Sequence, residues 1–483
     1  MKLGALAAAA GIVVPGGAEQ QVTGFAIDHR KVAPGTVFGA FQGSAVNGED
    51  FIAAAVAAGA VAVVARPEAL VQGAVHIADP APRRAFARLA AGFFTPVPGT
   101  VVAVTGTNGK TSTVEMTRQL WRMAGHSAAS IGTLGITTAD ESVATGLTTP
   151  DIVTFLANMT GLAREGVTHV AYEASSHGLS QYRNEGLRVR AGAFTNLSRD
   201  HLDYHHDMDS YFAAKMRLFG EVVEPGGTAV IWADDAWSER AIAAARARGL
   251  ALFTVGTQGA DIRLLDRVPG QLGQVLEIEH AGERRRVDLS LIGAYQAANA
   301  LVAAALVLAT GGAPGPTFDA LARLQPVRGR LERAALTAAG APVYVDYAHT
   351  PDGLAAAIAA LRPHVQGRLI TVFGAGGDRD AGKRPEMGRI VATRADLAIV
   401  TDDNPRGEDP AAIRAQVLAG APGAREVAGR REAIAAAIAE AGKGDIVLIA
   451  GKGHEQGQIV GRGEATRILP FDDVSVAREC AQP

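Results

Sequence analysis

Val101-Val102-Ala103-Val104-Thr105-Gly106-Thr107-Asn108-Gly109-Lys110-Thr111-Ser112 decides the fold. The stretch begins as a run of β-branched and small apolar residues, the composition of a strand buried on both faces of a parallel sheet. It then breaks into a glycine turn closed by Lys-Thr, after which Glu115-Met116-Thr117-Arg118-Gln119-Leu120 reads as a helix. Strand, glycine turn and helix make a phosphate cradle. Gly106 and Gly109 let the backbone approach an anion, the amides at the helix start point at it, Lys110 brings a mobile positive charge, and the Thr111 hydroxyl suits Mg²⁺. Bound ATP is the expectation. The general nucleotide-loop spacing needs glycine where Val104 stands, so only the shorter TGTNGKT form is present.

Composition bounds the rest. A chain of 483 residues exceeds a single core and implies about three domains at ~150 residues each. Net charge is -3 with both signs evenly mixed, which gives no electrostatic case for a nucleic-acid or membrane partner. The single cysteine, Cys480, excludes an intrachain disulfide and suits a reducing compartment. The alanine-rich stretch up to Val14 imitates a signal peptide, but its charged region is only Lys2 and the amino terminus. Ala297 to Ala309, the most apolar later stretch, falls short of the ~20 residues that span a bilayer. A cytoplasmic protein without membrane insertion is expected.

Turn-rich punctuation sets the domain boundaries. Thr95-Pro96-Val97-Pro98-Gly99 is a stiff linker, and Gln325-Pro326 a second, giving domains 1–97, 98–326 and 327–483. The first mixes short strands such as Thr36-Val37-Phe38 and Ala60 to Ala65 with a helix from Phe51 to Ala58. The second and third alternate strand and helix, which predicts α/β domains with parallel sheets and chemistry at the strand C-terminal ends. Glu173, closing the strand Val170-Ala171-Tyr172, sits at such an end as a candidate Mg²⁺ ligand. Phe194 to His206 is a dense cluster of acid and imidazole groups. Zinc-type helical spacing is absent there and no cysteine is near.

TGTNGKT, NLSRDHLDYH, DYAHTPD, GAGGDRD, DDNPR and GKGHE, in this order, resemble the Mur ligase family across all three domains. That resemblance implies a three-domain α/β enzyme: a small N-terminal domain holding a uridine nucleotide, a central ATP-binding ligase domain, and a C-terminal Rossmann-like domain holding an amino acid. It implies ATP contacts at Gly106, Thr107, Asn108, Gly109, Lys110, Thr111, Ser112, Asn299, Arg330, Asp346 and His349. It makes His201 a second Mg²⁺ ligand beside Thr111 and Glu173, as part of a two-ion site, and turns Lys215 of Tyr211-Phe212-Ala213-Ala214-Lys215 into a carbamate by reaction with CO₂. A carbamate is an anionic oxygen ligand suited to a hard ion, and only an unprotonated amine can form it. Lys110, Lys215 and His201 become the catalytic set.

The resemblance further assigns UDP-MurNAc-L-Ala-D-Glu to Ile27, His29, Ser44, Ala45, Val46, Thr148, Thr149, Ser175, Gln181 and Arg183, although the family usually has serine where His29 stands. DYAHTPD and GKGHE are similar to the branch that adds the third peptide residue, and DNPR to its meso-diaminopimelate-specific form. Its amino-acid contacts fall on Arg379, Asp403, Asn404, Pro405, Arg406, Gly451 and Glu455. meso-Diaminopimelate carries a carboxylate beside its distal amine, which a guanidinium can grip with two parallel hydrogen bonds; Arg406 suits that group, Arg379 the other carboxylate and Glu455 an ammonium. The implied reaction is ATP-dependent amide formation through an acyl phosphate, by a monomer, with domain closure. Three alternatives stay open: folylpolyglutamate synthetase, which DDNPR and GKGHE do not fit; a lysine-adding relative, opposed only by Arg406 and its neighbours; and a nucleotide-binding switch without ligation.

Overall fold

The computed structural model describes residues 1–43, 46–139, 141–143, 148–270 and 272–482. They form two compact units, one of residues 1–260 and 302–313, the other of residues 261–301 and 314–483.

The first unit holds two sheets. Its small sheet runs Gly24–Ala26, Thr36–Gly39, Ala60–Ala65, Val75–Ala78, every neighbour parallel. The alanine-rich N-terminal stretch is the helix Leu3–Ala10, with Leu3 and Leu6 buried beside Phe86 and Leu89 of the helix Pro82–Phe93. Its leucines belong to the core, where each contributes about 1.5–3 kcal/mol.

The larger sheet of this unit places Thr100–Thr105 between Val189–Phe194 and His169–Glu173. Val223–Trp232 and Ala251–Gly256 extend it on one side and Ala128–Gly132 on the other, all parallel. Central position explains the composition: Val101, Val102, Ala103 and Val104 are buried, as expected of a strand covered on both faces. The helix Lys110–Met123 returns beside it, burying Val114, Met116, Leu120 and Trp121.

The second unit opens with a departure from the expected alternation. Ile262–Gly270, Gly273–His280 and Glu283–Leu289 form an antiparallel meander, with Leu276 and Ile278 buried on one face while Glu277 on the other is exposed. That alternation marks a half-solvated sheet, unlike the continuous apolar runs of the parallel strands. The C-terminal sheet follows the order Glu332–Leu336, Pro342–Asp346, Ile446–Ala450, Leu369–Phe373, Leu397–Val400, Arg425–Glu426, parallel except for its first strand. Pro342–Asp346, Leu369–Phe373 and Ile446–Ala450 are buried throughout and end in the polar loops 347–352, 374–380 and 451–455. Loops gathered at the carboxyl ends of parallel strands are where this architecture meets ligands.

Candidate functional site

In the first unit the loop after Thr105 bends at Gly106 (φ 148°) and Gly109 (φ 86°). A Cβ on Gly106 would stand 2.0 Å from Thr195 Oγ1, so only glycine permits this approach. The segment 195–198 clamps the loop. Asn196 accepts from the Asn108 amide (2.9 Å) and donates to its carbonyl (3.1 Å), Thr195 Oγ1 donates to the same carbonyl (2.6 Å), and the Ser198 amide donates to Thr107 Oγ1 (3.0 Å). These bonds hold the loop's shape from within the protein. Among the described residues no side chain caps the helix that starts at Lys110, and the amides of an uncapped helix start suit an anion.

Two lysines meet on one carbonyl. Lys110 Nζ donates to Gly106 O (3.0 Å) and Thr107 O (2.8 Å), while Lys215 Nζ donates to Gly106 O (2.7 Å). Lys215 comes from the helix Met208–Arg217, which Asp207 caps, and its side chain is only 1% exposed. Burial, and then the charge of Lys110, hold its amine well below the usual lysine range, with Asp200 opposing. The neutral amine is favoured there. Its Nζ lies 4.5 Å over the Tyr211 ring, whose hydroxyl is 3.2 Å from Thr107 Oγ1 and is pushed up to about 12 by burial.

Glu173, at the end of its strand and 2% exposed, accepts from Thr133 N (2.7 Å) and Oγ1 (3.3 Å). Half-exposed His201 adopts a left-handed conformation, with Nε2 3.5 Å from Asp200 and its ring 4.9 Å from His177. Among the described residues no three His, Cys, Asp or Glu side chains gather as a metal site. The side-chain oxygens that Thr111 and Glu173 carry are of the type a hard cation takes.

A second network lies in the same unit. Thr149 Oγ1 donates to Ser175 Oγ (2.9 Å), Arg183 donates to Thr149 O (2.8 Å) and, through Nε and Nη2, to Gln181 Oε1 (3.1 and 2.7 Å), and Gln181 donates to Tyr204 OH (3.1 Å). Thr148 Oγ1 is 3.1 Å from Thr133 Oγ1. Ile27 and Val46 are exposed apolar side chains. His29 stacks on Phe51, ring centroids 4.4 Å apart and planes 4° off parallel. Ser44 and Ala45 lie outside the described residues.

The second unit carries the remaining candidates. Buried Asp346 ties two loops, accepting from Leu331 N (2.8 Å) and Ala348 N (2.9 Å); burial pushes its carboxyl up and Arg330 opposes. The Arg330 guanidinium sits 5.0 Å over the Tyr347 ring, its carbonyl accepts from Gln296 (2.8 Å), and Asn299 donates to Gln296 (3.3 Å). His349 Nδ1 bonds Tyr347 O (2.8 Å), and the His349 carbonyl accepts from Lys383 Nζ (3.0 Å).

Around Asp403-Asn404-Pro405-Arg406 the contacts are dense. Asn404 Oδ1 accepts from Lys452 Nζ (2.8 Å) and Ile459 N (2.9 Å), and its Nδ2 donates to Glu455 Oε2 (2.9 Å). Pro405 packs against the glycine loop, its carbonyl 1.9 Å from where a Cβ on Gly377 would stand. Arg406 takes φ 50° and donates from Nη1 to Gly377 O (2.9 Å), while exposed Arg379 donates to Asp378 O (3.3 Å). Gly451 (φ 125°) has no room for a Cβ, which would lie 2.5 Å from Asp403 Oδ2. Behind them, fully buried Arg430 grips Asp473 with two bonds (2.7 and 2.6 Å) and reaches Ala450 O (3.0 Å).

Comparison with known proteins decides the family. Residues 21–93 match the model of the Mur ligase family catalytic domain, 104–307 the Mur ligase middle domain, and 329–453 the Mur ligase glutamate ligase domain. The UDP-N-acetylmuramoyl-L-alanyl-D-glutamate--2,6-diaminopimelate ligase of Zymomonas mobilis is 61% identical, over 99% of this chain and 98% of that protein. This chain belongs to the Mur ligase family. A protein of the same name from Bradyrhizobium diazoefficiens is 52% identical to this Mur ligase, over 98% of the chain and 97% of the relative. A solved structure of a ligase so named shares 32% identity, with a TM-score of 0.76 over 100% of this chain and 98% of that one. The three-domain α/β architecture expected from the motifs is the one this Mur ligase has.

Within this Mur ligase, Lys110, Lys215 and the loop residues Gly106 and Thr107 come together, and so do Thr149, Ser175, Gln181 and Arg183. Asn404, Glu455 and, through Gly377, Arg406 form another group. Lys452, Arg430 and Arg384 are absent from the sequence expectations. Arg384, fully buried, holds Gly376 O (3.1 Å) and Glu408 (2.8 and 2.9 Å). Lys452 stands inside a quoted motif, which was the available signal; the Arg430–Asp473 pairing has none in sequence.

Proposed function

We propose that this Mur ligase joins meso-diaminopimelate to the D-glutamyl carboxylate of UDP-MurNAc-L-Ala-D-Glu at the expense of ATP, in peptidoglycan precursor synthesis. The observation that carries this reading is the Arg406 guanidinium. It is fixed beside Gly377 by one side-chain hydrogen bond, in a chain 61% identical to a ligase named for diaminopimelate. Its remaining donors match the distal carboxylate, the group that distinguishes diaminopimelate from lysine.

A carboxylate is a poor acylating agent because its leaving group would be oxide. Transfer of the γ-phosphoryl group of ATP makes an acyl phosphate; attack by the amine then forms the amide and expels inorganic phosphate. Two anions must first approach each other. The loop amides and Lys110 offset that repulsion at the transferring phosphoryl group. Thr111, Glu173, His201 and a carboxylated Lys215 are the residues that would hold Mg²⁺, whose chemistry is charge neutralisation on the phosphates. Lys215 suits carboxylation because burial and Lys110 favour its neutral amine.

Asn299, Arg330, Asp346 and His349 are nucleotide residues in this reading. Ile27, His29, Ser44, Ala45, Val46, Thr148, Thr149, Ser175, Gln181 and Arg183 serve the UDP-linked substrate, and Arg379, Asp403, Asn404, Pro405, Gly451 and Glu455 join Arg406 on diaminopimelate. The working division is 1–97, 98–326 and 327–483, and the enzyme acts as a cytoplasmic monomer. Among the described residues no helix is long and apolar enough to cross a membrane. The test is product mass: incubation with ATP, Mg²⁺, UDP-MurNAc-L-Ala-D-Glu and meso-diaminopimelate gives the condensed tripeptide precursor, and omission of any component abolishes it. Phosphate release without that product would refute the assignment.

A further inference from the structure

Lys452 is a fully buried lysine between two substrate-facing motifs, and the mechanism above gives it no task. Its amine donates to Asn404 Oδ1 (2.8 Å) and to Glu455 Oε2 (3.3 Å), and Asn404 Nδ2 closes the ring on the same Glu455 oxygen (2.9 Å). A lysine can only donate, and so can the Ile459 amide that shares Asn404 Oδ1 (2.9 Å). The Asn404 carboxamide is therefore fixed with its oxygen toward Lys452 and its nitrogen toward Glu455. Glu455 in turn has Oε2 held by two donors, which sets the plane of the carboxylate. Among the described residues no protein hydrogen bond reaches its Oε1. That oxygen remains for a ligand ammonium.

Removing a lysine from solvent is costly unless a partner compensates, so a lysine kept in this position is tied to what it holds. We propose that Lys452 is a positioning residue of the amino-acid pocket. It locks the 403–406 loop to the 451–455 loop and aims Glu455 at the ammonium of the incoming amino acid. The inference rests on the ligase reading above and deepens it.

The test is steady-state kinetics of the full chain with each substrate varied in turn, for wild type, Lys452→Met and Lys452→Arg, with thermal unfolding midpoints alongside. A charge-assisted contact of this kind predicts that Lys452→Met raises KM for meso-diaminopimelate ~10-fold or more. KM for ATP and for the UDP-linked substrate stays within about two-fold and kcat within about three-fold, because the residue acts through Asn404 and Glu455, both on the amino-acid side. L-Lysine, supplied as a poor alternative amino acid, loses affinity by the same factor, since its ammonium is common to both. Lys452→Arg recovers part of the loss. An unchanged KM for diaminopimelate, or a parallel rise in all three KM values with a lowered midpoint, overturns the proposal. If Lys452→Met does not fold, Lys452→Gln decides on the same KM criterion, since it keeps a shorter neutral donor. A wild-type enzyme that forms no product with diaminopimelate defeats the ligase reading, and this one with it; an active wild type with a Lys452→Met variant of unaltered KM defeats this one alone.

Discussion

The loop at 106–112 and the loops at 403–406 and 451–455 are built on opposite plans. The loop at 106–112 is a backbone structure: glycine angles, one main-chain carbonyl shared by two lysines, and a clamp whose hydrogen bonds run largely to main-chain atoms of 107–108. The loops at 403–406 and 451–455 are side-chain structures: Lys452, Asn404 and Glu455 fix one another, while Arg430 grips Asp473 and reaches Ala450 O. A backbone site concentrates its vulnerability in a few residues that cannot be replaced. A side-chain site spreads it over a network, where a distant member can matter as much as a contacting one.

The largest expected effect breaks the network. Arg430→Met leaves Asp473 buried without its partner and costs about 3–5 kcal/mol of stability, visible as a lowered denaturation midpoint; a shift below ~1 kcal/mol would show that the pair is not a keystone of the second unit. Next comes the cradle. Lys110→Ala lowers turnover at least ~10²-fold with little change in folding stability, because it removes charge stabilisation from phosphoryl transfer. Lys215→Ala falls as far, and a small carboxylate such as formate returns part of the activity; native mass measurement of active wild type showing no CO₂ adduct would remove the carbamate from the account.

Acid sharpens the contrast. Burial, then Arg330, depresses His454 from 6.5 to about 4. The unfolded chain therefore takes up this proton between about pH 6.5 and 4 while the folded chain does not. Stability from this group is full above 6.5 and falls as pH drops, by up to about 3 kcal/mol near pH 4. His454→Gln should flatten that part of the pH–stability curve; an unchanged slope would mean that His454 titrates normally. The smallest effect is at His29. His29→Ser removes the stacked contact with Phe51 and costs about 0.5–1.5 kcal/mol, with KM for the UDP-linked substrate as the readout of whether the imidazole also touches ligand.

The same difference in plan explains what the sequence disclosed. The strand Thr100–Thr105, its glycine loop and the following helix are contiguous, so their composition and spacing suffice. Short parallel strands such as Thr36–Gly39 and Ala60–Ala65 were legible for the same reason. The meander at 262–289 was not, because its alternation was absorbed into a general strand-and-helix pattern. Lys215 required family resemblance, since a lysine on an amphipathic helix is ordinarily solvated. Arg430 and Asp473 stand 43 positions apart in sequence and meet only through the fold. Lys452 was in view within GKGHE, but burial, which gives it meaning, is not written locally.

One measurement tests the central claim most directly: phosphate release with ATP, Mg²⁺ and UDP-MurNAc-L-Ala-D-Glu, comparing meso-diaminopimelate with L-lysine at equal concentration, for wild type and Arg406→Ala. The account predicts that in wild type release with diaminopimelate exceeds release with lysine by far. It predicts a ~10- to 100-fold loss of kcat/KM for diaminopimelate in the variant, the worth of a charged hydrogen-bonding contact. Preference for lysine, or an Arg406→Ala enzyme that still selects diaminopimelate, would contradict it.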